Sequence, residues 1–324
     1  MGVERSSPQR ELTRRTVVGR GLTIGIGLGA VTQERRPAAR ATPAATPATP
    51  VAARPELLID ANALIAADRE RAVSIVALTP AEEFAEAHIP GAAHIDWPAF
   101  EVVDTSDASI ARWRGEVEAT LATLGISREA TVVTYDQGTL FAARLWWILR
   151  YLGHAEADNR VLNGGLAAWQ EAGGWVGAIP GGTPPAPANT TGAYEGEPQP
   201  AVLSQLAEVR ASLDDPTVVF VDARTSEEYV AGHIPGAVNL NYPLNAQPEP
   251  PNTWKPVAEL RSMYEALGVT PDKTVIPYCT SGVRSAVTFF TLKLIGYPSV
   301  ALYTGSWQEW ESVPGLPITT GDQP

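Results

Sequence analysis

The side chain best able to act as a nucleophile in this sequence is its single cysteine, Cys279. Residues 274–278 before it form an apolar run typical of a buried parallel strand. Residues 285–295 after it have the pattern of a helix that stops at Gly296. This order predicts that Cys279 lies at the carboxyl end of a strand and just before a helix, where open α/β sheets bind their ligands.

The six residues from Cys279 to Arg284 are suited to holding an anion. Successive backbone N–H groups at a helix N-terminus converge there, and Gly282 lets the loop curl where a side chain would collide. The helix dipole and the Arg284 guanidinium both favour thiolate over thiol. The candidate catalytic residue is Cys279, and the candidate substrate-binding residues of the loop are Thr280, Ser281, Gly282, Val283 and Arg284.

A thiolate in such a loop is able to carry sulfur. It attacks a weakly bonded outer sulfur atom of a donor, which leaves a persulfide on the protein and an anionic product. An acceptor then removes the sulfur and regenerates the thiolate, and the loop N–H groups stabilise the charge on sulfur throughout. We expect the sulfur donor to be a small anion and the acceptor to be a thiol, a thioredoxin-like protein or cyanide. We expect no cofactor.

Composition narrows the classes of partner. A formal net charge of -12 disfavours nucleic acid, although a few arginines are enough to make one pocket positive. One cysteine cannot form an intramolecular disulfide, and the four histidines have no metal-binding spacing, so we expect no metal site. A length of 324 residues with 44% hydrophobic residues predicts two domains, and we expect a monomer.

Two halves of the sequence repeat one another. Residues 81–92 return as residues 226–237, with His-Ile-Pro-Gly-Ala in both copies. Residues 131–136 return as residues 274–279, so that Asp136 takes the position of Cys279 in the first copy. The segment beginning at Asn163-Gly164 likewise returns at Thr304-Gly305. The sequence therefore predicts two copies of one fold.

Strand-like and helix-like segments alternate within each copy. Residues 217–222 form an apolar run that ends in an acid, and residues 259–267 have helical spacing and stop at Gly268. The alternation predicts an α/β fold in which each copy is a parallel sheet with helices on both faces. The predicted domains are 54–178 and 201–324, joined by a Pro-rich linker at 179–200.

The repeated His-Ile-Pro-Gly-Ala, the six-residue loop from Cys279 to Arg284 and the segment from Gly305 to Trp310 resemble the rhodanese family. The resemblance covers about residues 55 to 320 and is specific to tandem-domain thiosulfate and 3-mercaptopyruvate sulfurtransferases. It implies two rhodanese-like domains of which only the second carries the catalytic cysteine. It also implies that the first domain, with Asp136 in place of cysteine, is catalytically silent and forms one wall of the site.

The resemblance also assigns roles outside the loop. Arg144 matches an arginine that reaches from the first domain toward the substrate anion, with a surface salt bridge as the alternative. Asp222 and Arg224 match a strand-end pair expected to brace the active loop. The remaining candidates are expected to be structural, as the histidines before Ile-Pro-Gly and as packing tryptophans: His88, His233, Trp146, Trp147, Trp169 and Trp310.

The sequence leaves the donor open between thiosulfate and 3-mercaptopyruvate. The small residues Thr280 and Ser281 resemble mercaptopyruvate enzymes, whereas Arg284 supplies charge that suits thiosulfate, which we favour slightly. A phosphatase or arsenate reductase is a first alternative, but these enzymes have five residues between cysteine and arginine and this loop has four. A sulfur carrier or thiol sensor that binds a partner protein is a second.

The N-terminus has the features of an export signal. Arg14-Arg15 precedes a short, weakly apolar run, and Ala39-Arg40-Ala41 offers a small-residue cleavage site. We interpret residues 1–41 as a twin-arginine-type signal and residues 42–53 as an Ala/Thr/Pro linker. The predicted location is the periplasm or the extracellular face, and the alternative is a cytoplasmic protein with a disordered basic tail.

Overall fold

The computed structural model describes residues 52–70, 73–178 and 193–324, which belong to one compact unit. The predicted signal at 1–41 lies outside the described residues, as do residues 42–51 and 179–192 of the two predicted linkers. Within the described ranges, no helix has the length and apolarity needed to cross a membrane.

The first repeat contains a five-stranded sheet in which all strands are parallel, in the order β1-β5-β4-β2-β3. Helices alternate with the strands, as the sequence predicts. In chain order the elements are β1 (Leu58–Ile59), α1 (Ala61–Arg69), β2 (Ser74–Leu78), α2 (Ala81–Glu86), β3 (Ala93–Ile95), α3 (Asp107–Thr123), β4 (Val132–Tyr135), α4 (Ala142–Tyr151), β5 (Asn159–Leu162) and α5 (Gly165–Glu171).

The second repeat has the same element order. Its elements are β6 (Leu203–Ser204), α6 (Leu206–Ala211), β7 (Val218–Asp222), α7 (Ser226–Ala231), β8 (Val238–Asn239), α8 (Val257–Ala266), β9 (Thr274–Tyr278), α9 (Val283–Leu294), β10 (Leu302–Tyr303) and α10 (Ser306–Ser312). Strands β8-β7-β9 and β10-β6 pair in parallel, and Val275 bonds to Ser299 and Ala301 just before β10. The predicted fold is confirmed, with two parallel α/β repeats.

The two repeats share one hydrophobic core. Its largest cluster contains buried residues of both halves, whereas each outer sheet face has a smaller cluster of its own. The central contact joins α4 to α9, where Trp146 packs edge-on against Phe290 at 4.9 Å between ring centroids. The Trp146 indole N–H also donates to the Asn159 carbonyl at 2.9 Å. The two halves are therefore held together by α4 and α9, the equivalent helices of the two repeats.

The end of the predicted linker belongs structurally to the first repeat. The N–H groups of Glu197 and Gln199 donate to the carbonyls of Leu152 and Tyr151 at 2.8 and 2.7 Å. These bonds satisfy carbonyls at the end of α4 that the helix itself leaves without a partner. Residues 193–199 are consequently bound to the first repeat and do not act as a free spacer.

Replacing Trp146 with alanine tests the shared core. The substitution removes the largest side chain between α4 and α9, so we expect the free energy of unfolding to fall by about 3–5 kcal/mol. The matched control is Trp175→Ala, because 74% of Trp175 is exposed and its loss leaves no cavity. Urea denaturation followed by fluorescence measures both, and equal effects of the two substitutions would contradict the shared core.

Candidate active site

Cys279 lies between β9 and α9, as predicted, and only 1% of its surface is exposed. The Gly282 N–H donates to Cys279 Sγ at 3.1 Å, and the Ser285 hydroxyl donates to the same atom at 3.5 Å. Donors fixed by the backbone and by the first helical turn stabilise negative charge on the sulfur without having to rearrange. Cys279 thus has the surroundings that its predicted role requires.

Gly282 is the residue that allows the loop to turn back onto the sulfur. Its φ is +89°, a conformation that side-chain-bearing residues rarely adopt. A Cβ at this position would lie 2.7 Å from the carbonyl oxygen of Thr304 and 2.8 Å from its Oγ1. Both the backbone conformation and the space therefore require glycine here.

Ser306 holds the loop from behind and was missed by the sequence analysis. Its buried Oγ accepts the Cys279 N–H at 3.1 Å and donates to the Tyr303 carbonyl at 2.8 Å. Ser306 has φ +56°, and the equivalent Gly165 of the first repeat has φ +55°. The signal lay in the repeat, because a serine in the second copy takes the place of a glycine in the first.

Arg144 extends from α4 of the first repeat to the back of the catalytic loop. It is fully buried, so the alternative of a surface salt bridge is wrong. Its guanidinium donates to the carbonyls of Gly282 at 3.4 Å and Phe100 at 2.8 Å, and to Thr304 Oγ1 at 3.1 Å. Burial lowers the pKa of Arg144 to about 10. The structure shows a bond to the loop backbone, and direct contact with substrate stays a prediction.

Arg284 is paired with a carboxylate, and its pKa is raised by its hydrogen bond to Glu228 and then by attraction to Cys279, the residue that the sequence predicted it to support. Its two terminal nitrogens each donate to a carboxylate oxygen of Glu228 at 2.8 Å, and one of them also contacts Thr280 Oγ1. This bidentate pair holds the pKa of Glu228 well below its ordinary value, at about 2. The sequence shows the arginine but not its partner, because Glu228 lies on α7, far from Arg284 in sequence.

Two other predicted loop residues, Ser281 and Val283, lie in different surroundings. The Ser281 hydroxyl donates to a carboxylate oxygen of Glu101, which belongs to the first repeat. The Val283 side chain is buried in the protein, with 2% of its surface exposed. Any contribution of Val283 to substrate binding would therefore come from its backbone.

The equivalent loop of the first repeat shows what this backbone conformation binds. The Asp136 carboxylate accepts hydrogen bonds from the N–H groups of Gly138, Thr139 and Ala142 at 2.7, 3.0 and 2.9 Å. Burial raises the pKa of Asp136, and these N–H donors oppose that effect. The N–H groups of the first loop thus bind an internal carboxylate, at the position where the second loop has the Cys279 sulfur.

Asp222 and Arg224 pair at the end of β7. The Arg224 guanidinium also lies over the rings of Tyr278, the residue before Cys279, and of Trp307, whose N–H donates to the Cys279 carbonyl at 3.0 Å. Arg224 Nη2 donates to Asp222 Oδ2 and to the Gly232 carbonyl, each at 2.6 Å. The expectation that His233 is structural is confirmed, because it is fully buried and its Nδ1 lies 2.9 Å from the Tyr229 carbonyl. The equivalent His88 makes the same contact with the carbonyl of Phe84 at 2.9 Å.

Comparison with known proteins shows the family of the chain. The family described as rhodanese-like domain matches residues 60–172 and 205–313. The sulfur carrier protein TtuD of Thermus thermophilus is 35% identical over 73% of this chain and 86% of that protein. A thiosulfate sulfurtransferase of Pseudomonas aeruginosa is 34% identical over 75% and 90% of the two chains. A probable 3-mercaptopyruvate sulfurtransferase of that organism is 34% identical over 64% and 74%.

Solved structures show the same fold. A variant of EanB in complex with ergothioneine has a TM-score of 0.71 at 24% identity, over 82% of this chain and 70% of that one. Together with the sequence matches, this places the chain in the rhodanese family, with two rhodanese-like domains. It is an enzyme of the thiosulfate or 3-mercaptopyruvate sulfurtransferase type.

Gly282→Ala tests the geometry of the catalytic loop. The new Cβ would collide with Thr304, and the resulting displacement of the 282 N–H from Sγ should lower sulfurtransferase activity about 100-fold. Gly268→Ala is the matched control, because Gly268 also has positive φ, +73°, but no atom within 4 Å of the added Cβ. Steady-state assays measure both variants. Equal loss of activity in the two would contradict the requirement for glycine at position 282.

Proposed function

We propose that Cys279 carries the transferred sulfur as a persulfide. The observation that carries this proposal is the pair of donors on Sγ, the Gly282 N–H at 3.1 Å and the Ser285 hydroxyl at 3.5 Å. A sulfur with such donors is suited to attack as a thiolate, which is the nucleophilic form of cysteine. Thiosulfate and 3-mercaptopyruvate are the proposed donors, and cyanide or a thiol is the proposed acceptor.

The two half-reactions balance without a cofactor. The Cys279 thiolate forms an S–S bond to the outer sulfur of thiosulfate, and sulfite leaves with the electron pair of the broken S–S bond. With 3-mercaptopyruvate a C–S bond breaks instead, and the departing enolate of pyruvate takes up a proton. Cyanide then attacks the outer sulfur of the persulfide, so that thiocyanate leaves and the thiolate is regenerated.

The equivalent loop of the first repeat suggests how the second loop would bind a persulfide. The loop there surrounds the Asp136 carboxylate with three N–H groups at hydrogen-bonding distance. The outer sulfur of a persulfide on Cys279 extends one atom beyond Sγ, as the carboxylate oxygens extend one atom beyond their carbon. A similar ring of N–H groups in the second loop would hold the charged outer sulfur.

A second candidate function is delivery of the sulfur to a partner protein. The relative of 35% identity from Thermus thermophilus is named a sulfur carrier protein, and a carrier uses the same persulfide. A carrier would be loaded by a donor but would turn over slowly with small acceptors. The phosphatase alternative has less support. The loop has four residues between Cys279 and Arg284, whereas phosphatases have five, and both terminal nitrogens of Arg284 are already bonded to Glu228.

Cys279→Ser separates the persulfide mechanism from its alternatives. A serine hydroxyl cannot hold sulfane sulfur, so we expect no added sulfur atom by mass spectrometry and no thiocyanate, with an unchanged circular dichroism spectrum. The control is the unaltered protein treated with donor alone, which should gain one sulfur atom on Cys279. Turnover of the variant within tenfold of the unaltered protein would contradict the mechanism. A loaded protein that fails to turn over with cyanide would favour the carrier.

We further propose that the protein is exported in folded form by the twin-arginine route. Export after folding would suit an enzyme with a single cysteine, because that thiol would be buried before it met an oxidising compartment. Residues 1–41 would be removed, and the Ala/Thr/Pro tract at 42–53 would then begin the mature chain. The support is the order of arginine pair, apolar run and small-residue site in the sequence.

Fractionation of cells tests the export proposal. The double substitution Arg14→Lys and Arg15→Lys keeps the charge but removes the arginine pair, so we expect the protein to remain in the cytoplasm with an intact N-terminus. The unaltered protein should appear outside the cytoplasm, shortened near Ala41. If both forms remain cytoplasmic and intact, the export proposal is wrong.

A further inference from the structure

The first turn of α10 holds the backbone of the catalytic loop. The Trp307 N–H donates to the Cys279 carbonyl at 3.0 Å, and the Gln308 N–H donates to the Thr280 carbonyl at 3.1 Å. Ser306, at the start of the same helix, accepts the Cys279 N–H at 3.1 Å. Both backbone polar groups of Cys279 are therefore bonded to α10, so the position of α10 determines where the backbone holds the sulfur.

One residue further along α10, Glu309 binds the first repeat. Glu309 is buried, and its Oε1 accepts the Thr105 N–H at 2.6 Å. The Thr105 hydroxyl oxygen lies 2.7 Å from Oε2 and 2.9 Å from Oε1 of the same carboxylate. Thr105 is buried too, and it belongs to the segment of the first repeat between β3 and α3. The carboxylate thus attaches α10 to the other half of the molecule.

Thr105 is itself held by two other helices. Its Oγ1 accepts the Leu206 N–H at 2.9 Å at the start of α6, and the next residue, Ser106, is the N-cap of α3. Gly305 leaves the space for the contact, because a Cβ there would collide with the Glu309 carboxylate and lie 2.9 Å from Thr105 Cγ2. Glu309 therefore binds to a fixed partner.

The first repeat has no carboxylate at the equivalent position. Comparison of the two copies places Ala168 at the position of Glu309. The Leu166 N–H nevertheless donates to the Asp136 carbonyl at 2.9 Å, so the helix and its bond to the loop form with alanine at this position. The glutamate occurs in the copy that has the cysteine, which links Glu309 to the reactive loop and not to the fold as such.

We propose that Glu309 is a positioning residue for sulfur transfer, which sets the orientation of Cys279 by holding α10 on Thr105. The inference rests on the proposed role of Cys279, because it describes how the reacting sulfur is placed. The Gly282 N–H donates to Sγ at 3.1 Å, and a hydrogen bond weakens steeply as its angle departs from linearity. A small shift of α10 would turn the Cys279 backbone and move the sulfur away from that donor.

Glu309→Ala tests the inference, with Glu309→Gln as the conservative variant. Alanine leaves the Thr105 N–H and hydroxyl without their acceptor, so we expect kcat to fall about 30-fold through misplacement of the sulfur. KM should stay within about threefold, because the contacts of the donor itself remain. The glutamine amide oxygen still accepts the Thr105 N–H, so Glu309→Gln should keep kcat within about threefold. Both constants are measured with thiosulfate and with 3-mercaptopyruvate.

Glu118→Ala is the matched control for a merely structural role. Glu118 likewise accepts a backbone N–H from a distant segment, that of Gly196, at 3.1 Å. Its other partner is Arg114 of its own helix, so both contacts lie within the first repeat and the segment bound to it. Urea denaturation measures the loss of stability in each variant. We expect Glu118→Ala to lower stability but not kcat, and an equal fall in kcat for Glu118→Ala and Glu309→Ala would overturn the inference.

Thr105→Val shows whether Glu309 acts through its partner. Valine removes the hydroxyl but keeps the backbone N–H, so we expect kcat to fall about tenfold. The double variant should be no slower than Glu309→Ala alone, about 30-fold, because the second substitution removes a contact that is already lost. A loss of about 300-fold in the double variant would mean that the two residues act independently, and the inference would be wrong.

Two further results would overturn the inference. One is a kcat for Glu309→Ala within about threefold of the unaltered enzyme, and the other is a Glu309→Gln variant as slow as Glu309→Ala. If Glu309→Ala does not fold, Thr105→Val decides, since a kcat within about twofold of the unaltered enzyme would contradict the role of the contact. Failure of the unaltered protein to form a persulfide on Cys279 would instead refute the proposed function.

Discussion

The geometry of the candidate active site centres on one hydrogen bond, from the Gly282 N–H to the sulfur of Cys279 at 3.1 Å. A buried atom that must bear negative charge requires donors in place beforehand, because water is not there to supply them. Gly282 keeps its N–H in position through a left-handed backbone conformation, and close contact with Thr304 leaves no room for a side chain. Ser306 behind the loop and α9 after it hold the two ends of the same turn.

The first repeat takes part in this arrangement through α4. The loop of the first repeat binds the Asp136 carboxylate, which fixes the start of α4, since the Ala142 N–H is one of its donors. Helix α4 then packs on α9 through Trp146 and carries Arg144 to the Gly282 carbonyl. The first repeat, which has Asp136 at the position of Cys279, therefore helps to position the loop of the second repeat.

Sequence patterns predicted the fold, because they rest on local regularities. The strand at Val218–Asp222 begins one residue later than predicted, and the helix at Val257–Ala266 begins two residues earlier and ends one residue earlier. The internal repeat supplied the domain organisation, and the cysteine loop supplied the nucleophile. These features depend on neighbours in sequence or on direct comparison of the two halves.

What the sequence could not reveal were the partners brought together by tertiary structure. The pairing of Arg284 with Glu228 joins α9 to α7, and the contact of Ser281 with Glu101 joins the two repeats. Arginine in a loop indicates positive charge only if no carboxylate neutralises it, and composition cannot show which carboxylate will be adjacent. Ser306 was missed for a similar reason, since its function depends on a positive φ that serine rarely adopts.

The two arginines near the sulfur consequently act in different ways. Arg284 is paired with a carboxylate, whereas among the described residues Arg144 has hydrogen bonds only to carbonyl and hydroxyl oxygens. Burial lowers the pKa of Arg144, and attraction to Cys279 and then Glu101 opposes that effect. Both guanidinium groups are attracted to Cys279, so each repeat supplies one positive charge close to the sulfur.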